Sequence, residues 1–329
     1  MKEHGANFYF AKYTLNEDPF SGDYHDWLAQ AYSSGGQALR GAIEAVGMAG
    51  ISNVYYAPHI FSKSRQQYCL ALAALNHALG DPVIAVTDTT FMAVILLGMF
   101  EVINFDTWDR YIYWAAHIQG ALTLLELRGK EQFSQKRGGL LFVLIRSQIL
   151  TACMYQNLSV PPSLLQTSQN FKTSSIRRDW HKEKVASPGS ISEISFQVVN
   201  LKAAIQNGHI TDSDTILQQA NQIDEKLVAW KATASHSWTY GTVDSARIPE
   251  VAYFDEKCHV YPNLWVAEIW NNWRALRILM NQIILYHIPF TDLLYTFKSA
   301  KAQSIIRILS TEICISTSSF ARTPRKFFA

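Results

Sequence analysis

His117 is the residue best suited to acid–base work in this 329-residue chain. An imidazole titrates near neutrality, so in the right setting it takes or gives a proton at physiological pH. It lies in the turn Trp114-Ala115-Ala116-His117, with Asp109 and Tyr113 one or two helical turns earlier on neighbouring faces. As a general base it is the catalytic candidate; as a hydrogen-bonded core histidine it is structural, and an isolated histidine on an apolar face fits that role better. Glu101 and Arg128 stand at the ends of two apolar stretches. A buried carboxylate–guanidinium pair there would lock two helices together, or the same groups would anchor a polar ligand. Arg146 and Arg274 admit the same two readings. Glu101, Trp114, His117, Arg128 and Arg274 therefore form the candidate ligand-binding set.

Other chemistries leave no trace. Cys69, Cys153, Cys258 and Cys314 are widely separated, with no Cys-x-x-Cys pair to chelate zinc. Four scattered thiols read as small buried apolar residues in a reducing compartment. There is no His-Glu-x-x-His, no paired carboxylate cluster and no Gly-x-Ser-x-Gly elbow. Gly138-Gly139 lacks the strand and the lysine of a phosphate loop and reads as a loop hinge. No metal and no cofactor is expected. Aromatic side chains are the remaining resource. Trp108, Tyr111, Tyr113 and Trp114 fall within about two helical turns, and Trp265, Trp270 and Trp273 within about two and a half. Most belong to a core, while some could line an apolar cavity between two helical halves.

The elements that would position these residues are helices. Proline removes a backbone donor and clashes inside a helix, and none occurs between Pro82 and Pro161. In that window Asp88-Thr89-Thr90 offers N-cap side chains ahead of Phe91–Leu97, an apolar run that a helix buried nearly all round would need. A second helix is expected from near Thr107 to Arg128, with Tyr111, Trp114, Ile118, Ala121, Leu122 and Leu125 on one face. Gly129 would cap it. A third runs Leu140–Tyr155. Upstream, Tyr24–Met48 and Ser64–Leu79 are helical in rhythm; downstream, so are Ile194–Gln206, Asp212–Ala232, Leu264–Tyr286 and about Leu293–Ile315. Between 166 and 192 the composition shifts to Ser, Thr, Lys and Arg, which predicts a mobile connection. The expected organisation is an N-terminal helical half at 1–165, a connection at 166–192 and a C-terminal helical half at 193–329. Nothing alternates as βαβ, so the fold class is all-α, a bundle of two packed helical halves.

A hydrophobic content of 48% supports a substantial core. The formal charge is only +2, and the most basic patch, Ile176–Lys182, is interrupted by Asp179. There is no basic field of the kind a nucleic-acid binder uses. The charged start Met1–Asn7 is unlike a signal peptide, and the apolar run Phe91–Phe100 is far short of a membrane span. An intracellular protein, in nucleus or cytoplasm and without membrane contact, is expected.

The segment Trp108–Gly129, WDRYIYWAAHIQGALTLLELRG, resembles the regulatory region of fungal zinc-cluster transcription factors. So do Ala45–Ala49 followed by Tyr68–Leu72, the stretch Asp88–Glu101, and Leu264–Ile278, in which Arg274 and Arg277 match the family's two arginines. Trp230, Trp238 and Tyr253 fall where members place aromatics. The likeness runs over roughly residues 5 to 318. The six closely spaced cysteines that bind two zinc ions in that family are missing, as are a basic linker and a heptad dimerisation helix, and the tail from Ala321 departs from the family pattern. The resemblance therefore implies a regulatory or sensory module of transcription-factor type, binding a small apolar metabolite or a protein partner without direct contact to nucleic acid. Two rivals are a stand-alone enzyme of fungal secondary metabolism, guiding a cofactor-free cyclisation or rearrangement in an aromatic cavity, and a non-functional relative.

Overall fold

A computed structural model describes all residues except 15–20, 106, 108–109, 183–190, 235–237, 245–253, 255 and 322–329. Among the described residues there are fourteen α-helices and one two-stranded antiparallel sheet, so the molecule is all-α. The chain divides into two compact units. Unit 1 comprises the described residues of Met1–Asn16, Phe20–Ala152 and Pro161–Lys182; unit 2 comprises Cys153–Val160 and the described chain from Ile191 onward.

In unit 1, α1 (Lys2–Lys12), α2 (Ser21–Ser34), α4 (Pro58–Leu79) and α6 (Asp88–Ile103) pack around α3 (Gln37–Tyr55). Small residues make α3 a hub. A methyl group on Gly47 would sit 1.8 Å from the Gly5 carbonyl oxygen, so the backbones of α1 and α3 touch where they cross. Helix α6 is buried on every side from Thr90 to Gly98, as its uninterrupted apolar run requires. It follows the short helix α5 (Pro82–Ala85), and its cap is Thr87, whose Oγ1 accepts from Thr90 N at 3.3 Å, rather than the Asp88-Thr89-Thr90 triplet. Next come α7 (Tyr111–Arg128), whose buried residues Trp114, Ile118, Ala121, Leu122 and Leu125 form the expected stripe, and a 3-10 turn, Lys130–Ser134. Gly129 ends α7 at φ +57°.

Gly138-Gly139 is not a loop hinge. Both glycines lie inside α8 (Lys136–Gln156), where a side chain at Gly138 would meet the Gln132 carbonyl oxygen at 1.7 Å. Close approach, not flexibility, is what they provide. Helix α8 is also long and apolar enough to cross a membrane, but 61% of that stretch is buried within the protein, as in a core helix. The compositional shift at 166 opens no loop either. Pro162–Thr173 forms α9 and Ser175–Lys182 forms α10, with Phe171, Ile176 and Trp180 buried in unit 1. Polar residues there face outward while three aromatic or branched side chains hold the segment down; the rest of the expected connection, 183–190, lies outside the described residues.

Unit 2 contains α11 (Ile191–Gln206), α12 (Ser213–Ala232), the strands β1 (Gly241–Asp244) and β2 (Lys257–Val260), α13 (Leu264–His287) and α14 (Tyr295–Ala321). Side-chain caps start two of these helices: Asp212 accepts from Thr215 N and Asn263 from Val266 N. On α13 the buried stripe is Val266, Trp270, Trp273, Leu276, Met280 and Ile284; Trp265 and Ile269 are only partly buried beside it. Full burial of each such side chain contributes about 1.5–3 kcal/mol, and both indoles also find acceptors. Trp270 donates to the Trp238 carbonyl and Trp273 to that of Leu227, each at 2.8 Å. The hairpin pairs Gly241 with Val260 through Asp244 with Lys257. Four-residue strands carry too little alternation to be read in advance.

Candidate functional site

In unit 1 three polar side chains meet where α4, α6 and α7 pack. Tyr68, on α4, places its Oη 2.9 Å from His117 Nε2, and its ring stacks on Phe100 with centroids 4.5 Å apart. Burial pushes the phenol pKa up, and the hydrogen bond and charge of the adjacent Glu101, itself buried, push it further. Burial also lowers the His117 pKa to about 4, so the ring is neutral at physiological pH. Trp114 and His117 lie against α6 at Gly98, where a methyl would reach within 3.4 Å of His117 Cβ. Trp114 is 7% exposed, tilts against Tyr111, and keeps its Nε1 buried without an acceptor among the described residues. The structure thus brings His117, Trp114 and Glu101 together. The tyrosine that joins two of them was not recognised as chemical from sequence, since nothing in its local spacing marks it.

Among the described residues His117 has no carboxylate partner to orient it, and the nitrogen seen to hydrogen-bond is committed to Tyr68. Asp109 and Trp108 lie outside the described residues. The grouping is that of a neutral hydrogen-bonded core histidine.

Arg128 does not pair with Glu101. Its Nη2 binds Asp88 Oδ1 at 2.6 Å, its Nη1 donates to the Val86 carbonyl at 2.8 Å, and its guanidinium lies over the Phe91 ring at 5.0 Å. The reason is topological. Helices joined by a short connection run antiparallel, so the end of α7 meets the start of α6, while Glu101 at the end of α6 meets the first half of α7. Arg146 departs from the expected acid pairing as well. It lies over Phe142 at 5.3 Å, and burial together with the nearby charge of Arg177 lowers its pKa to about 10.

Unit 2 holds a second centre around Arg274, which is 0% exposed. Its Nε donates to Glu312 at 2.9 Å and its Nη1 to both Tyr261 Oη and Asn271 Oδ1 at 2.8 Å. The guanidinium stands 5.0 Å from the Tyr240 ring. Tyr261 Oη lies 3.1 Å from His259 Nδ1. Burial first, then the Arg274 charge, lowers the His259 pKa to about 4, so the ring that shares a hydrogen bond with the Tyr261 hydroxyl is neutral at physiological pH. Burial pushes the Tyr261 phenol up to about 12. Asn271 exchanges hydrogen bonds with the buried Ser316, tying α13 to α14. The neighbouring Arg277 forms a two-pronged pair with Asp224 of α12 at 2.8 and 2.9 Å. These two arginines, matched from sequence, staple helices. Trp230 and Trp238 are buried in the core of unit 2, and Tyr253 lies outside the described residues.

Among the described residues no group of three or more His, Cys, Asp or Glu could hold a metal ion, and all four cysteines are free thiols. Two surface features stand apart from the residues singled out by sequence. One is a groove of about 440 Å³ between α11 and α12, whose lining includes Gln197, Gln222 and Lys226. The other is the turn between α13 and α14, where Tyr286, Phe290, Leu293 and Phe297 are 85%, 85%, 102% and 69% exposed.

In both units the polar centres join helices to one another. The chain belongs to the family of the fungal specific transcription factor domain, whose sequence profile matches residues 10–315. An uncharacterized protein of Emericella nidulans is 25% identical over 131 residues, covering 40% of this chain and 27% of that protein. The chain therefore matches little more than a quarter of the length of that relative. No solved structure matches it.

Proposed function

We propose that this chain regulates transcription by docking a protein partner on the α13–α14 turn, without touching DNA itself and without turnover. The observation that carries this reading is the exposed apolar turn. Five large apolar side chains, Tyr286, Phe290, Leu293, Leu294 and Phe297, point to solvent within twelve positions. Apolar side chains clustered in this way mark interaction surfaces, whereas scattered single ones do not. The partner is the apolar face of another protein, and regulation follows from its recruitment in the nucleus. Binding of a small apolar metabolite has less support, because the groove on α11 and α12 is rimmed by amides. The enzyme alternative draws no support from His117, which is spent on Tyr68.

Fusing the chain to a DNA-binding domain of known specificity and reading a reporter in a fungal host tests the proposal. Reporter output should change on tethering and return to baseline in the variant L293D/F297D, with the thermal melt of the variant unmoved. A fusion that leaves the reporter unchanged, or a double variant as active as the parent, rejects it.

A further inference from the structure

We infer that the groove between α11 and α12 is a binding site for a small polar acid, a molecule carrying one carboxylate beside an amide or hydroxyl group. The inference goes beyond the partner-docking role and uses a different surface. Helical periodicity places Gln197, Asn200 and Ala204 along one stripe of α11, and Gln219, Gln222 and Lys226 along one stripe of α12. The two stripes face each other across a floor made by Leu201 and Ile223, both buried. The volume of about 440 Å³ falls in the range of small-molecule sites.

The composition of the walls is what separates this groove from an ordinary solvated face. Outward helix faces usually carry acids and bases at alternating helical spacing, and α11 and α12 do so elsewhere, at Glu193, Asp214 and Glu225. No acid lines the groove; four carboxamides and one ammonium do. Much of their capacity is unspent. Lys226 gives one N–H to Gln197 Oε1 at 2.7 Å, leaving two donors on the ammonium and the amide N–H₂ of Gln197. Asn200 Oδ1 accepts from Val160 N at 2.8 Å, leaving its N–H₂. The side chains of Gln219 and Gln222 make no hydrogen bond among the described residues, so each offers a donor and an acceptor side by side. That pattern complements an amide or hydroxyl, and Lys226, the sole charge in the wall, complements a carboxylate. A purely apolar ligand would leave the carboxamides unanswered, and a cation would meet Lys226.

N-acetylglycine, which joins one amide to one carboxylate, is the probe. Nitrogen-15 NMR of the side-chain amides should show saturable shifts at Gln197, Gln219 and Gln222, and weaker shifts with acetate or with N-acetylglycinamide. K226M should weaken N-acetylglycine binding about tenfold and bring it level with the neutral amide. Q219A/Q222A should weaken both amide probes and leave the response to acetate as it was. Lys226 and Gln222 are exposed, and an unchanged melt verifies each variant. Absence of saturation up to the solubility limit, or equal binding by all three probes, overturns the assignment. Because L293D/F297D lies outside the groove, it should bind N-acetylglycine like the parent, so failure of the partner reading and failure of this one are distinguishable.

Discussion

His117 makes the fold sensitive to acid. The histidine pKa falls from 6.5 to about 4 in the folded chain. Between those values the unfolded chain takes up a proton that the folded chain refuses, so stability is intact above about 6.5 and declines as pH drops toward 4. His259 adds the same dependence in unit 2. Thermal melts from pH 7 to pH 4 should fall steadily, and H117Q should show a shallower decline; an unchanged slope in H117Q would remove this residue from the account. Arg128 gives a second residue-level prediction. R128A should cost about 2 kcal/mol in denaturant unfolding, because it leaves the Val86 carbonyl without its donor and Asp88 with only the longer Arg137 contact at 3.5 Å. A double-mutant cycle with D88N should show strong coupling and one with E101Q almost none. The reverse result would restore the Glu101 pairing that sequence position suggested.

At the level of elements, the closest crossing is α1 on α3. G47A should destabilise unit 1 by about 3 kcal/mol, because the added methyl meets backbone that cannot rotate aside. A melt equal to the parent's would mean that the two helices separate freely. The helices themselves were legible because their signal is dense. The Trp114 to Leu125 stripe, the apolar run of α6 and the Trp270-Trp273 face of α13 repeat at helical spacing over many residues. Boundaries were less so: α7 starts at Tyr111 rather than near Thr107, and Gly35-Gly36 separates α2 from α3 within the single helical rhythm of Tyr24–Met48. What stayed hidden was partnership. That Arg128 would choose Asp88, or that Tyr68 would join His117 across forty-nine positions, follows from antiparallel packing and not from any local pattern. Amide rows such as Gln219 and Gln222 give no signal either, since glutamine is unremarkable on any outer helix face.

Taken whole, the molecule separates its tasks. The arginines and the histidine that sequence singled out as candidate ligands are largely consumed in holding helices together, each inside its own unit. What is left for outside molecules is the amide-walled groove and the bare α13–α14 turn, both in unit 2. Recognition rather than reaction is therefore the reading proposed. Membership of the fungal specific transcription factor domain family accords with that division.

The contact of Gly47 with Gly5 has a genetic corollary. No amino acid is smaller than glycine, so every missense change in either codon adds atoms to a place already occupied by main chain. Most of this protein can drift by trading one side chain for another of like bulk, but that crossing has no neighbouring sequence to drift into.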